Sequence, residues 1–171
     1  YKQFIIITLL IDSALFYLSF IKIMVEREKQ IDVLLIEDSL DDSELTLYSI
    51  MNANDRLHYQ HFTNGEDALD FVFNNKTNWG QPIKDNLKLI ILDLTLPKVG
   101  GLAIARKFKE SEQTRAIPIV VLSSSKNLDD IHVAYEIGVN SYVVKPDKFD
   151  GYLKKIGSLA SYWSTVNERP N

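Results

Sequence analysis

Apolar residues fall along this chain in short unbroken runs separated by longer amphipathic stretches, the pattern of buried strands alternating with helices. The runs Ile31-Asp32-Val33-Leu34-Leu35-Ile36, Leu89-Ile90-Ile91-Leu92 and Ile119-Val120-Val121-Leu122 predict strands covered on both faces. Ser141-Tyr142-Val143-Val144 reads as another strand, and the weak alternation of Leu57 to Phe62 as a more peripheral one. Strand and helix alternate five times from Ile31, which argues a parallel sheet with helices on both faces.

The helical stretches have their own punctuation. Ser39 or Asp41 can cap a helix through about Asn52, with Leu45, Tyr48 and Met51 spaced for one face. Asn64-Gly65 starts a short helix that turns Ala68, Leu69 and Val72 inward, and residues 75–86 read as a solvent loop. A third helix covers Gly101 to Ser111 with Leu102, Ala105 and Phe108 as its stripe. A fourth covers Leu128 to Ile137 and ends on Gly138. The last, from about Lys148 to Val166, carries Phe149, Tyr152, Leu153, Ile156, Leu159, Ala160 and Trp163 on one face, and residues 167–171 form a tail.

Chemistry collects where the strands stop. Asp93 closes the Leu89–Leu92 run and is followed by the turn-forming stretch Leu94 to Gly101; Glu37-Asp38 closes the first run. If those strands lie parallel and adjacent, three carboxylates meet at one sheet edge, where repulsion calls for a cation or raised pKa values. An all-oxygen acidic pocket suits Mg²⁺. The fourth strand stops at Ser123-Ser124-Ser125 and the fifth at Lys145-Pro146, adding a hydroxyl and an ammonium.

These motifs, in this order, resemble the receiver domain of two-component response regulators. The resemblance covers about Ile31 to Trp163, with residues 31–166 as the domain, and extends through the Asn74–Leu87 loop to the stand-alone receivers that include cyanobacterial phytochrome partners. It implies a flavodoxin-like, doubly wound (βα)5 fold with strand order 2-1-3-4-5. It also implies that Asp93 is the phosphoacceptor, and that Asp38 and Asp93 ligate Mg²⁺ with the Thr95 backbone carbonyl while Glu37 reaches it more through water. Lys145 then pairs with the Asp93 carboxylate and later with the phosphate. Ser123 is the hydroxyl that bonds a phosphoryl oxygen, although three consecutive serines leave the choice open on chemistry alone. Tyr142 is the rotameric aromatic of the switch, read through the surface of the fourth helix, fifth strand and fifth helix. The Lys145–Pro146 bond is implied to be cis, which proline makes cheap.

The implied function is a stand-alone signalling module without its own output domain. It takes a phosphoryl group from a sensor histidine kinase or phosphotransfer protein, with a second copy as a further partner through the apolar end of the last helix. On this reading the chain is not an enzyme beyond its own phosphorylation and dephosphorylation. A Mg²⁺-dependent phosphohydrolase of the haloacid dehalogenase type also uses an Asp after a strand, but it wants a second Asp two residues on, where this chain has Thr95, and a nucleophile on its first strand. A flavodoxin-like cofactor binder needs a phosphate loop after the first strand, and the acidic stretch from Glu37 to Asp42 repels one.

Composition narrows little else. The net charge of −4 gives no basic footprint for nucleic acid, no G-x-G-x-x-G follows a strand, and the absence of cysteine excludes disulfides and thiolate metal sites. His58, His61 and His132 stand in no metal or triad spacing and read as surface or sheet-face residues.

Residues 1–30 differ from the rest. Phe4 to Val25 is mostly Ile, Leu and Phe, long enough to span a bilayer as a helix. About 14 strong apolar residues at roughly −0.3 to −0.6 kcal/mol each outweigh one central Asp at roughly +3 kcal/mol. The cations of Glu26-Arg27-Glu28-Lys29 would keep the domain cytoplasmic. The competing expectation is upstream sequence read through in frame, with a receiver that begins near Met24. Either way the expected location is the cytoplasm, anchored to the membrane through residues 4–25 only if that segment is native.

Overall fold

The computed structural model describes residues 31–74 and 83–168. Expectations for residues 1–30, for most of the 75–86 loop and for the last three residues lie outside the described residues. No helix among the described residues is long and apolar enough to cross a membrane.

Strands β1 (Val33–Ile36), β2 (Tyr59–Phe62), β3 (Leu89–Leu92), β4 (Ile119–Ser123) and β5 (Ser141–Val144) form one parallel sheet in the order β2-β1-β3-β4-β5. Helices α1 (Leu40–Ala53), α2 (Gly65–Asn74), α3 (Gly101–Glu110), α4 (Leu128–Ile137) and α5 (Phe149–Ser161) follow the strands in turn. This is the flavodoxin-like (βα)5 architecture that the resemblance implies.

The unbroken aliphatic runs follow from cover on both faces. Leu34, Ile36, Ile90, Leu92, Ile119 and Val121 point into one core with Ala68, Val72, Ile104 and Phe108 of α2 and α3. Val33, Leu35, Leu89, Ile91, Val120 and Leu122 point into the other, with Ile50 of α1 and Tyr152, Ile156 and Ala160 of α5. The edge strands β2 and β5 are only partly buried, which explains their mixed composition.

Helix α1 departs from the expected face. Ser39 is its N-cap, accepting from the Asp42 amide, but Tyr48 and Met51 are about half exposed while Ser43, Thr46, Ser49 and Ile50 are buried. The reason is proximity to α5: a Cβ on Gly157 would lie 3.1 Å from the Ala53 Cβ and 3.3 Å from the Ser49 carbonyl. Only small side chains fit where Gly157 faces Ser49 and Ala53. Their hydroxyls find partners within the helix, Ser43 on the Leu40 carbonyl and Ser49 on the Leu45 carbonyl, so burying them leaves nothing unsatisfied.

The other helices keep closer to expectation. On α3, Ala105 and Phe108 are buried as read, Ile104 joins them, and Leu102 is only partly buried. Gly138 adopts the left-handed cap of α4 with φ 98°. The last helix widens at its end into a π turn, Tyr162–Val166, and its first residue, Phe149, is exposed.

A candidate phosphoacceptor site

Backbone pairing continues one residue past β1 and β3 and fixes the acidic edge. The Glu37 amide donates to the Phe62 carbonyl at 3.0 Å and the Asp93 amide to the Ile36 carbonyl at 2.9 Å. Two carboxylates on adjacent central strands are thereby held side by side. Glu37 and Asp93 are buried, Asp38 is exposed, and carboxylate oxygens of all three lie within 4.8 Å of one another. Two buried acids and an open one give a donor set that suits a hard cation retaining water.

The loop after β3 is drawn tight by glycine. A Cβ on Gly101 would fall 2.1 Å from the Asp93 carbonyl oxygen and 2.7 Å from the Leu94 Cα, so only hydrogen lets α3 begin so close beneath the acidic residue. The Gly101 amide closes this turn on the Leu94 carbonyl at 2.9 Å, and the Thr95 amide donates to Asp93 Oδ2 at 3.0 Å. One oxygen of Asp93 is therefore occupied by the backbone. The other, Oδ1, faces Lys145 Nζ at 3.6 Å.

Lys145 arrives from the end of β5, where its amide donates to the Ser123 carbonyl at 2.9 Å. Its ammonium is nearly buried and makes shorter contacts with Glu37 Oε2 at 2.7 Å and Asp42 Oδ2 at 2.6 Å. Burial works against that charge, but hydrogen bonds to Asp42 and Glu37 and the field of Asp93 outweigh it and hold the Lys145 pKa above its ordinary value. Lys145 stays cationic at any usable pH. Burial pushes the Glu37 carboxyl upward; the bond to Lys145 offsets part of that rise, while the Asp93 charge adds to it.

The serines separate by environment. Ser123 is buried at the end of β4, with its Oγ accepting from the Ser125 amide at 3.2 Å. Ser125 Oγ donates to Asp130 Oδ2 on α4 at 2.6 Å, and Ser124 is exposed. Tyr142 donates its hydroxyl to the Ser125 carbonyl at 3.1 Å, so Ser123 and Tyr142 hold the same loop.

The Lys145–Pro146 bond corrects an expectation: no cis peptide occurs among the described residues, and this bond is trans, the isomer X–Pro bonds favour by about 0.5–1 kcal/mol. Two polar roles escaped sequence reading. Asp42 passes for a solvated acid of an acidic turn, yet the Ser39 cap places it over Lys145; a Ser-x-x-Asp cap followed one turn into the helix was the available signal. His61, on β2, holds the Glu37 carbonyl at 2.8 Å through Nε2, a contact no spacing rule signals.

Residues 33–156 match the response regulator receiver domain family, and the chain belongs to that family. It is 34% identical over 151 residues to the probable methanogenesis regulatory protein FilR2 of Methanothrix harundinacea, covering 86% of this chain and 92% of that protein. Response regulator Rcp1 of Synechocystis is 30% identical over 131 residues, covering 77% of this chain and 87% of that protein. The phosphorylated cyanobacterial phytochrome response regulator RcpA superposes with a TM-score of 0.72 at 26% identity, over 83% of this chain and 99% of that one. The Mn(2+)-bound form of Rcp1 superposes at 0.70 and 28% identity, over 82% and 99%. The chain is thus a CheY-like receiver of two-component signalling, a domain type that works with a histidine kinase or another phosphodonor.

Proposed function

We propose that Asp93 accepts a phosphoryl group from a histidine kinase or phosphotransfer protein, and that the change is read at the surface of α4, β5 and α5. The observation that carries this reading is the placement of Asp93, buried at the end of a central strand, among Glu37, Asp38 and Lys145. Its similarity to one relative described as phosphorylated and another described as Mn(2+)-bound supports it.

The chemistry asks little of the protein beyond position and charge. An oxygen of Asp93 attacks phosphorus in line; the bond from phosphorus to the donor imidazole nitrogen breaks and its electron pair stays on that nitrogen. An ionised carboxylate has no proton to lose, so no general base is needed. Asp38, Asp93, the Thr95 carbonyl and, through water, Glu37 would hold Mg²⁺, which when bound neutralises the phosphoryl oxygens. Lys145 supplies the second positive charge and Ser123 the hydroxyl donor. Ser123 Oγ accepts from the Ser125 amide and keeps its own proton to donate, so a phosphoryl group that draws the hydroxyl toward it also pulls on the loop that Tyr142 and Asp130 hold. No separate substrate is turned over: the position where a phosphohydrolase carries its acid is Thr95, exposed and without an acidic group. A second copy of the chain belongs to this reading as well, with Tyr162 at 49% and Val166 at 64% exposure at the end of α5.

Trapping tests it. Treatment with acetyl phosphate and Mg²⁺, then borohydride reduction and peptide mass mapping, is expected to convert Asp93 alone to homoserine. Conversion of Asp38 or Glu37 instead would refute the assignment.

A further inference from the structure

Lys145 has three N–H donors, and its two short contacts go to carboxylates other than Asp93: Asp42 Oδ2 at 2.6 Å and Glu37 Oε2 at 2.7 Å, against 3.6 Å to Asp93 Oδ1. Asp42 is itself fixed. It stands in the first turn of α1, and its amide is tied to Ser39 Oγ at 3.3 Å. Its carboxylate is part exposed, at 38%, whereas the Lys145 side chain is 9% exposed. Asp42 thus approaches from the rim while the ammonium lies in the floor. We propose that Asp42 is a positioning residue, a latch that holds the Lys145 ammonium toward α1 in the resting receiver and must release it before Lys145 can pair with a phosphoryl group on Asp93. This rests on the phosphoacceptor reading above.

The consequence is a competition that sets how readily the domain occupies its phosphorylated state. Glu37 and Asp42 both draw on the ammonium, but only Asp42 lies outside the carboxylates grouped for a cation. Its removal should therefore free Lys145 without removing a ligand. Dependence on Lys145 separates this role from a general field effect. With Mg²⁺ already bound, beryllofluoride adds as an anion, so loss of a nearby carboxylate acting only through its field eases binding whether or not Lys145 is present. Loss of a latch eases it only through Lys145, because the parent must break the Asp42–Lys145 pair and the variant need not.

The test is a titration of the whole chain with beryllofluoride at saturating Mg²⁺, followed by fluorine NMR, on the parent, Asp42→Asn, Lys145→Met and the double variant. Asp42→Asn is expected to bind about threefold tighter, within the range a part-exposed ion pair supplies, and that gain should vanish in the Lys145→Met background. Asp42→Glu should return the affinity toward that of the parent. Unchanged or weaker binding by a folded Asp42→Asn, or a gain that persists without Lys145, would overturn the latch. Failure of the parent reading looks different: the parent itself would then bind no beryllofluoride, or Asp93→Asn would bind it equally well.

Discussion

Thr46 on α1 and Tyr152 on α5, 106 residues apart in the chain, share a buried hydrogen bond of 2.8 Å between their hydroxyls. It is a polar tie between two helices that also bring Ile50 and Ile156 into one core and approach closely at Gly157. Burial raises the Tyr152 pKa, so the phenol stays protonated and able to donate.

Removing one partner should cost more than removing both. Thr46→Val leaves the Tyr152 hydroxyl buried without its partner and is expected to lower stability by about 1–3 kcal/mol. The double variant Thr46→Val with Tyr152→Phe should recover most of that loss. Urea unfolding of the four proteins in the cycle measures it; equal losses in the single and double variants would deny the bond a net role.

Gly101→Ala places a methyl where the Asp93 carbonyl now sits. The loop carrying Asp93 and Thr95 must shift, and we expect a loss of about 2 kcal/mol or more together with weaker Mg²⁺ binding. Gly151→Ala is the control, since its nearest atom outside the helix is the Pro146 Cβ at 3.7 Å, an ordinary contact.

The Glu37–Lys145 pair makes a pH prediction. The folded-state pKa of Glu37 is raised, chiefly by burial, so between the ordinary carboxylate range and that raised value the folded chain binds more protons than the unfolded one. Stability contributed by this group falls as pH rises through that window. Lys145→Met removes the bond that offsets burial, so the window should widen upward and stability at neutral pH should drop by about 3–5 kcal/mol, the usual cost of a buried charge left alone. Adding Glu37→Gln should restore much of it. Chemical denaturation from pH 5 to 8 decides this; a flat profile for Lys145→Met would contradict it.

Ser123→Ala tests the shared loop. The variant loses the acceptor of the Ser125 amide and should lose about 1 kcal/mol of stability. Its Asp93 should still take up phosphate, but NMR shift changes at Tyr142 and α4 on phosphorylation should shrink. Undiminished changes would remove Ser123 from the switch.

The sequence made the sheet legible because central parallel strands are buried on both faces and leave unbroken aliphatic runs, and because the acidic pair, Asp93, Ser123 and Lys145 each stand at a strand end. Its silence was greatest where burial involves small or polar residues. The α1 face is not legible from apolar spacing because Ser43, Thr46 and Ser49 satisfy themselves or meet Tyr152, while Tyr48 and Met51 are exposed. Asp32 is hidden for a similar reason: it is buried at the start of β1 because Lys88 at 3.0 Å and the His58 amide at 3.0 Å receive it, partners that no local pattern supplies. Asp42 went unrecognised since its partner lies 103 residues away.

Intact mass after acetyl phosphate, with and without Mg²⁺, on the parent and on Asp93→Asn tests the phosphoacceptor assignment most directly. The account predicts one phosphoryl mass gained by the parent only when Mg²⁺ is present, and none by Asp93→Asn. An equal gain in both proteins, or a gain indifferent to the metal, would contradict it.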